Sequence, residues 1–419
     1  MPPYILGQVK ILLNPKFLLL GVLSIAGTAH AQTLLMLDDA VRQALDNHPL
    51  LQAESQRIAT VDALAQQAGV RPNPRLFVQS ENWRYSTPTQ PIASTFTDQF
   101  LYLSQVLETG GKRQRRVDVA QQNIQLTQLE RELLAKQIEA RVKLAYWSAV
   151  GAQRVLELLR DSQQNLQQTV EYHEIQLREG SIAESDVLRV RLEGDRAAIA
   201  VENAMRDADA ARIALLREMG SQTFLEIRLG ETLDSQPDPP VANVDEALRV
   251  RVEVRQARQA IDQASAGLRL QNAVARPDVE VLSGYKRTSG YNTVLWGFQV
   301  NLPFFNKNEG NIAAATSEIT VAESRLKAVE ARVRADVEAA LRDVQSRRQR
   351  LASLVTGTLA RADDSVSVAR AAYREGGTDL LRLLDAERLH IELEVMNARM
   401  RMEYRQSLVG LETALGVSR

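Results

Sequence analysis

Few side chains in this 419-residue chain have the type and spacing for chemistry. His390 and Glu394 stand one helical turn apart, and Met396, Met400 and Met402 follow. An imidazole and a carboxylate at that spacing can meet one metal ion, and thioethers suit soft metals. No second histidine stands at ligand spacing, however. His48, His173 and His390 are dispersed, so each reads as a lone surface or groove histidine. The methionines, at helical spacing, read as packing. No dinucleotide fingerprint, P-loop, nucleophile elbow or H-E-x-x-H motif occurs. Neither catalysis, nor a cofactor, nor a tight metal site is expected.

Composition narrows the class further. The formal charge is -1 and cysteine is absent. Arginines outnumber lysines 43 to 8, but acids balance them, so the charges read as solvated helix faces and not as a nucleic-acid surface. Lys10 and Lys16 precede an apolar run, Phe17 to Ala26, and then Ala29-His30-Ala31. That pattern reads as a cleavable secretory signal over residues 1–31, with the mature chain starting at Gln32. The run is short of the ~20 residues that span a bilayer as a helix.

The elements that must position any functional residue come in two copies. Leu177-Arg178-Glu179-Gly180-Ser181 returns 196 residues later as Tyr373-Arg374-Glu375-Gly376-Gly377, and Gly220 returns as Gly416. Arg71-Pro72 and Arg276-Pro277 are a third echo. The repeats cover 32–220 and 244–419, joined by a proline-bearing linker, 221–243, that is either a plain surface connector or has a role of its own. Helices are expected over Leu37 to Ala68, Lys112 to Arg178 and Ser185 to Met219, then Val244 to Val274, Ile312 to Arg374 and Asp379 to Leu415. The longest would measure on the order of 100 Å at ~1.5 Å per residue. In the second copy a seven-residue series, Val344, Leu351, Thr358, Ser365 and Ala372, predicts one helix packed along a neighbour, with Val355, Ala362 and Ala369 as a second series.

Two short regions, about 73–105 and 278–305, hold twelve of the twenty aromatics and alternate with a period of two. Val294, Trp296, Phe298 and Val300 alternate with Thr293, Leu295, Gly297 and Gln299. Each region splits into two strands, at 86–91 and at 287–290. An apolar-out, polar-in strand pattern in an exported chain suits an outer-membrane β-barrel. Lipid tolerates no open sheet edge, and four strands are too few to close. Further strands must come from other copies, and the spacing alone leaves two, three or four chains open.

With this order of elements the chain resembles the TolC-type outer-membrane efflux proteins. Within them it is similar to the outer-membrane component of cobalt–zinc–cadmium (CzcC-like) cation efflux systems. The resemblance rests on the two-copy order, the Arg-Pro helix ends, Asn301-Leu302-Pro303-Phe304-Phe305, and the run from Tyr373 to Arg388. It implies a mainly α fold with a small β part. Three chains would form a 12-stranded barrel, four strands each, continued by a long periplasmic α-helical barrel. Implied partners are two further copies, outer-membrane lipid, a periplasmic adaptor and an inner-membrane pump of the RND type; no nucleic acid is implied.

The resemblance also names site residues. Gly180, Ser181, Gly376 and Gly377 would form the tip turns that dock the adaptor. Asp186 matches an aspartate that bonds across to a tyrosine, here Tyr373. The arginine of that closure is Thr378, so one lock is missing. Of two acidic positions lining the narrowest ring, Asp385 matches the second, and the first is Arg382. Such a mixed-sign ring attracts cations less than two acidic ones. A solvated Arg382–Asp385 pair on a helix is the plainer alternative. The function expected is a passive, gated exit duct for heavy-metal cations or small molecules. A periplasmic coiled-coil adaptor and a type I protein-secretion duct are the alternatives.

Overall fold

The computed structural model describes residues 34–82 and 97–417. The signal segment, the turn at 86–91, and Trp83, Tyr85 and Phe96 lie outside the described residues. Each copy opens with a broken helix. α1 spans Leu37–Asn47 and α2 spans Pro49–Ala68. One continuous helix was expected here. Pro49 prevents it, because proline lacks the N–H and its ring collides with the preceding turn. It therefore begins a new helix, with His48 Nδ1 accepting from Leu50 N at 3.2 Å as its cap. In the second copy α5, Val244–Val250, and α6, Val252–Val274, break at Arg251.

Two strands follow the broken helix in each copy, after α2 and after α6, and together they form one four-stranded sheet. β2 is Arg75–Glu81, β3 Asp98–Leu107, β5 Val279–Thr288 and β6 Tyr291–Val300. The order is β2-β3-β5-β6, all antiparallel, so β3 of one copy pairs with β5 of the other, as in Leu101 opposite Tyr285. The register sorts the side chains by face. Leu76, Val78, Leu101, Leu103, Val281, Tyr285, Val294, Trp296 and Phe298 share one face. All nine are exposed, Val294 at 80% and Trp296 at 77%. The opposite face carries Glu81, Asp98, Glu280, Lys286 and Gln299 together with Phe77, Phe100, Tyr102, Leu282 and Leu295. A contiguous apolar face left uncovered marks a surface meant for an apolar medium or a partner.

From the sheet the chain returns into very long helices. α3 runs over Lys112–Arg178, 67 residues or roughly 100 Å, and α4 over Glu184–Glu218. The counterpart in the second copy is not one α-helix. α7, Glu309–Ser353, passes through a π-helical turn, Leu354–Leu359, into α8, Ala360–Arg374; α9 is Leu380–Leu415. A π turn holds one residue more than an α turn, and it shifts the buried stripe by one position. Val344 and Leu351 are buried as expected. Beyond Gly357 the buried positions are Leu359, Val366 and, from the second expected series, Ala362; of the first series Thr358 and Ala372 are half-buried, like Tyr373, and Ser365 is exposed.

The core sits where the broken helices and the linker cross the long ones. Tyr146, Ile138, Val142 and Leu215 are fully buried in the first copy, and Val254, Val333, Val337, Val344 and Leu411 in the second. The linker is strapped across this belt. β1, Leu34–Leu35, pairs in parallel with β4, Arg228–Leu229. Tyr146 Oη donates to Leu35 O at 2.8 Å, and Tyr404 Oη donates to Pro237 O at 2.7 Å. Arg401 donates to the carbonyls of Leu233 and Asp234. Two glycines close the repeats onto their own helix breaks. Gly220 and Gly416 have φ of 74° and 72°, where a side chain is strained. A Cβ on Gly220 would also lie 2.9 Å from Pro49 Cδ, and one on Gly416 3.0 Å from Arg251 Cγ.

Candidate functional site

The far ends of the long helices carry the turns singled out in the sequence. α3 ends in a left-handed residue, Gly180, at φ 70°, and α8 in Gly376, at φ 71°. Both close by the same pair of backbone bonds. Ser181 N donates to Gln176 O at 2.9 Å and Gly180 N to Leu177 O at 3.0 Å. In the second turn Gly377 N donates to Ala372 O at 2.7 Å and Gly376 N to Tyr373 O at 3.1 Å. This is the Schellman closure, which needs a residue free to take positive φ. Gly180, Ser181, Gly376 and Gly377 are all exposed, and nothing lies within 4 Å of a Cβ placed on Gly180 or Gly376. The two turns are thus bare surfaces.

Behind the turns the two copies are clasped together. His173 on α3 is buried, with only 1% of its surface exposed. That differs from the lone surface or groove histidine the spacing implied. Its Nδ1 lies 2.7 Å from Thr169 O and its Nε2 lies 2.7 Å from Tyr373 Oη. A carbonyl can only accept, so Nδ1 carries the proton and, in the neutral ring, Nε2 accepts from the tyrosine. The His173 and Tyr373 rings stack at 6.0 Å, and Tyr172 meets His173 edge-on at 5.4 Å. Val190, Leu380 and Leu384 pack around them. Burial, then the neighbouring Tyr172 and Asp186, push the Tyr373 phenol above its ordinary value. It stays protonated and able to donate at neutral pH.

Asp186 is half-buried in the first turn of α4, and its charge reaches Tyr373, while the tyrosine hydroxyl is held by His173 and not by this carboxylate. Arg382 and Asp385 lie on α9 with exposed side chains. The Arg382 N–H is bound by the Asp379 carboxylate at 3.1 Å, which caps the helix. Asp385 pairs with Arg388 at 3.2 Å, one turn further on. The structure thus binds Tyr373 to His173, leaves Asp186 within electrostatic reach of the tyrosine, and sets Arg382 and Asp385 on the exposed surface of α9.

Two buried ion networks hold the belt that carries these helices. Lys143 on α3 sits between Glu139, at 3.0 Å, and Glu412 of the other copy, at 3.2 Å. Burial opposes its charge, but the hydrogen bonds it donates to these carboxylates and their negative charges win and raise the ammonium above its ordinary value. Arg251, at the helix break, is clamped by Glu253 at 2.6 Å and Asp336 at 3.1 Å. Burial raises Glu253 and the Arg251 hydrogen bond lowers it further, leaving the carboxyl below its ordinary value. Sequence spacing passed over His173, Arg251 and Asp363, the last of which faces His390 at 2.7 Å across the α8–α9 hairpin. Five helix aromatics carried a usable signal. Tyr146, Trp147, Tyr172, Tyr373 and Tyr404 are rare outside the strands, and each marks a strap, a ring contact or the clasp.

Known proteins share this geometry. The outer membrane efflux protein family matches residues 40–221 and 243–417, one stretch for each copy. The cobalt-zinc-cadmium resistance protein CzcC of Cupriavidus metallidurans is 24% identical over 84% of this chain and 83% of its own length. The nickel-cobalt-cadmium resistance protein NccC of Alcaligenes xylosoxydans xylosoxydans is 24% identical over 69% of this chain and 65% of its own. Among solved structures, the transmembrane channel protein CusC superposes with a TM-score of 0.76 at 20% identity, covering 91% of this chain and 92% of that one.

Proposed function

We propose that this chain, which belongs to the outer membrane efflux protein family, is the exit duct of a tripartite efflux assembly for divalent heavy-metal cations. The observation that carries the duct is the amphipathic sheet. One face is apolar and exposed, the other mixes charged groups with aromatics, and its strands lead into helices roughly 100 Å long. Covering that face with lipid and closing its edges with strands of further copies satisfies both demands at once. Three chains give twelve strands, a barrel wide enough for a lumen. The long helices then line a periplasmic passage whose far end is formed by the Gly180 and Gly376 turns.

Roles at that end follow from chemistry. The bare turns suit docking to a periplasmic adaptor, which in turn meets an inner-membrane pump of the RND type. Tyr373, His173 and Asp186 hold the two hairpins of a chain together, and opening the passage requires such contacts to yield. Arg382 and Asp385 would face the narrowest ring with mixed charge. Nothing in such a duct needs an active site; the pump supplies the work. The cargo is argued from the relatives, which carry the names of cobalt, zinc, cadmium and nickel resistance.

Two measurements test the reading. The full-length protein should fractionate with the outer membrane, resist extraction by salt or carbonate, and form discrete conducting channels in planar lipid bilayers. Recovery as a soluble periplasmic protein without channel activity would overturn it. For the cargo, a strain deleted for the gene should gain sensitivity to cobalt, zinc, cadmium or nickel salts and not to a panel of organic drugs.

A further inference from the structure

One cluster of ligating side chains lies apart from the tips and the belt. Asp363 on α8 faces His390 and Glu394 on α9, and one ligand atom from each lies within 4.8 Å of the others. His390 Nε2 is 2.7 Å from Asp363 Oδ1. The four-residue spacing puts the imidazole and the Glu394 carboxylate on one helix face. Asp363 arrives from 27 residues away, across the hairpin, which is why the sequence showed only two of the three. His390 and Glu394 are half-buried and Asp363 is exposed. All three line a cleft of about 680 Å³ between the hairpins of the two copies, which gives an ion a way in.

We propose that Asp363, His390 and Glu394 bind one divalent transition-metal ion of the Zn²⁺ and Co²⁺ class. Two carboxylates offset its charge, and an imidazole nitrogen selects it over Ca²⁺ and Mg²⁺, which prefer oxygen alone. No thiolate or thioether takes part, so soft monovalent ions are disfavoured. Ligand atoms around tetrahedral zinc stand roughly 3.4 Å apart, given bonds of about 2.0–2.1 Å. The Asp363–His390 pair stands at 2.7 Å and all three atoms lie within 4.8 Å of one another, so side-chain rotations can bring them to that spacing. Three protein ligands leave a fourth position for water or passing solute. The repeat supplies an internal contrast. Counting back 196 residues gives Gln167, Gly194 and Ala198, so the first copy has no equivalent ligand set. Bound metal would pin α8 to α9 in the second hairpin alone. The site stands on its ligand set and not on the duct reading.

The test uses the full-length, untagged protein purified in detergent. Calorimetric titration with ZnCl₂ should give one ion per chain, and CoCl₂ should produce a ligand-field absorption band that Zn²⁺ displaces. His390→Gln and Asp363→Asn should each weaken Zn²⁺ binding at least tenfold and abolish the cobalt band, whereas Glu387→Gln, in the same cleft but outside the trio, should bind as the parent does. The proposal is overturned by an absence of saturable binding, by binding that both ligand variants leave unchanged, or by Ca²⁺ or Mg²⁺ binding as tightly as Zn²⁺. Conductance of the same preparations in planar bilayers reports on the duct separately, and should persist in both ligand variants.

Discussion

At the first tip, Gly180 ends α3 and Ala183 begins α4 with no side-chain cap; at the second, Gly376 ends α8 and the Asp379 carboxylate caps α9. One turn behind, Glu174 pairs with Arg191 at 2.6 Å in the first hairpin. The same positions 196 residues on are Arg370 and Glu387, paired at 3.1 Å with their signs reversed. Behind that, α3 runs on without interruption while its counterpart takes a π turn at Leu354–Leu359. Duplication kept the backbone closure, because glycine takes the left-handed end at no steric cost. It did not keep the contacts, because two copies that pack on each other need complementary surfaces and not identical ones. His173 comes from one copy and Tyr373 from the other.

The π turn is the place where that complementarity can be broken most completely. Deleting Gly357 would restore α-helical phase and rotate α8 by about 100° relative to α7, one residue's worth of turn. Leu359 and Val366 would leave the core, costing about 1.5–3 kcal/mol each, and Tyr373 would swing away from His173. The expected outcome is a large fall in melting temperature, with channels that conduct several-fold more than the parent. Parental conductance in a folded deletion variant would show that the π turn does not set the Tyr373 position.

A smaller cut tests the clasp alone. Tyr373→Phe keeps the ring stacked and removes the hydroxyl that donates to His173 Nε2. An acceptor left unsatisfied and buried costs about 1–3 kcal/mol. Melting in detergent should register that loss, and conductance should rise. Asp186→Ala, at a half-buried carboxylate, should move both readouts in the same direction and less. Unchanged conductance in the two variants together would remove these residues from the gate.

The helix breaks offer the same contrast in pH. His48 is held below 6.5, by burial first and then by Arg141, with Glu218 opposing. Its stabilising contribution is full above pH 6.5 and is lost as pH falls through the lowered folded value. Glu253, which clamps Arg251 at the other break, is held below 4.5, so its contribution persists until pH falls under 4.5. Stability should therefore decline in two stages on acidification, the first copy's break weakening before the second's. In His48→Asn, which can still cap α2, the first stage should disappear from a melting series taken from about pH 8 to well under pH 4.5, while the second remains.

Much of this was readable from the residues. The long helices, the four strands and the tip glycines follow from proline and glycine placement, from the change of period from helical to two, and from the concentration of aromatics. Asp186 and Tyr373 entered through resemblance to a family; in the structure the tyrosine hydroxyl is bound by His173. The rest depends on what crosses space. Nothing local to Gly357 announces a π turn, so the seven-residue series was carried past Leu351 out of phase with the buried positions. His173 and Asp363 acquire their partners from elements 200 and 27 residues away. Arg251 has no proline to betray the break it occupies; its clamp includes Asp336, 85 residues on.

The reversed ion pairs are the mildest difference between the hairpins and the easiest to isolate. Glu174–Arg191 and Arg370–Glu387 are exposed pairs, each worth about 0–1 kcal/mol. If polarity within a hairpin is all that matters, Arg191→Glu should cost a few tenths of a kcal/mol through repulsion from Glu174, and adding Glu174→Arg should restore parental stability. That double variant gives the first hairpin the polarity of the second. Should neighbouring hairpins meet around a closed tip, like would then face like, and the double variant would melt as the parent does yet conduct more. Equal conductance would confine the role of the reversed signs to each hairpin. Because exposed pairs are screened over about 10 Å at 0.1 M salt, the conductance difference should shrink as ionic strength rises. A difference independent of salt would point to packing and not to charge.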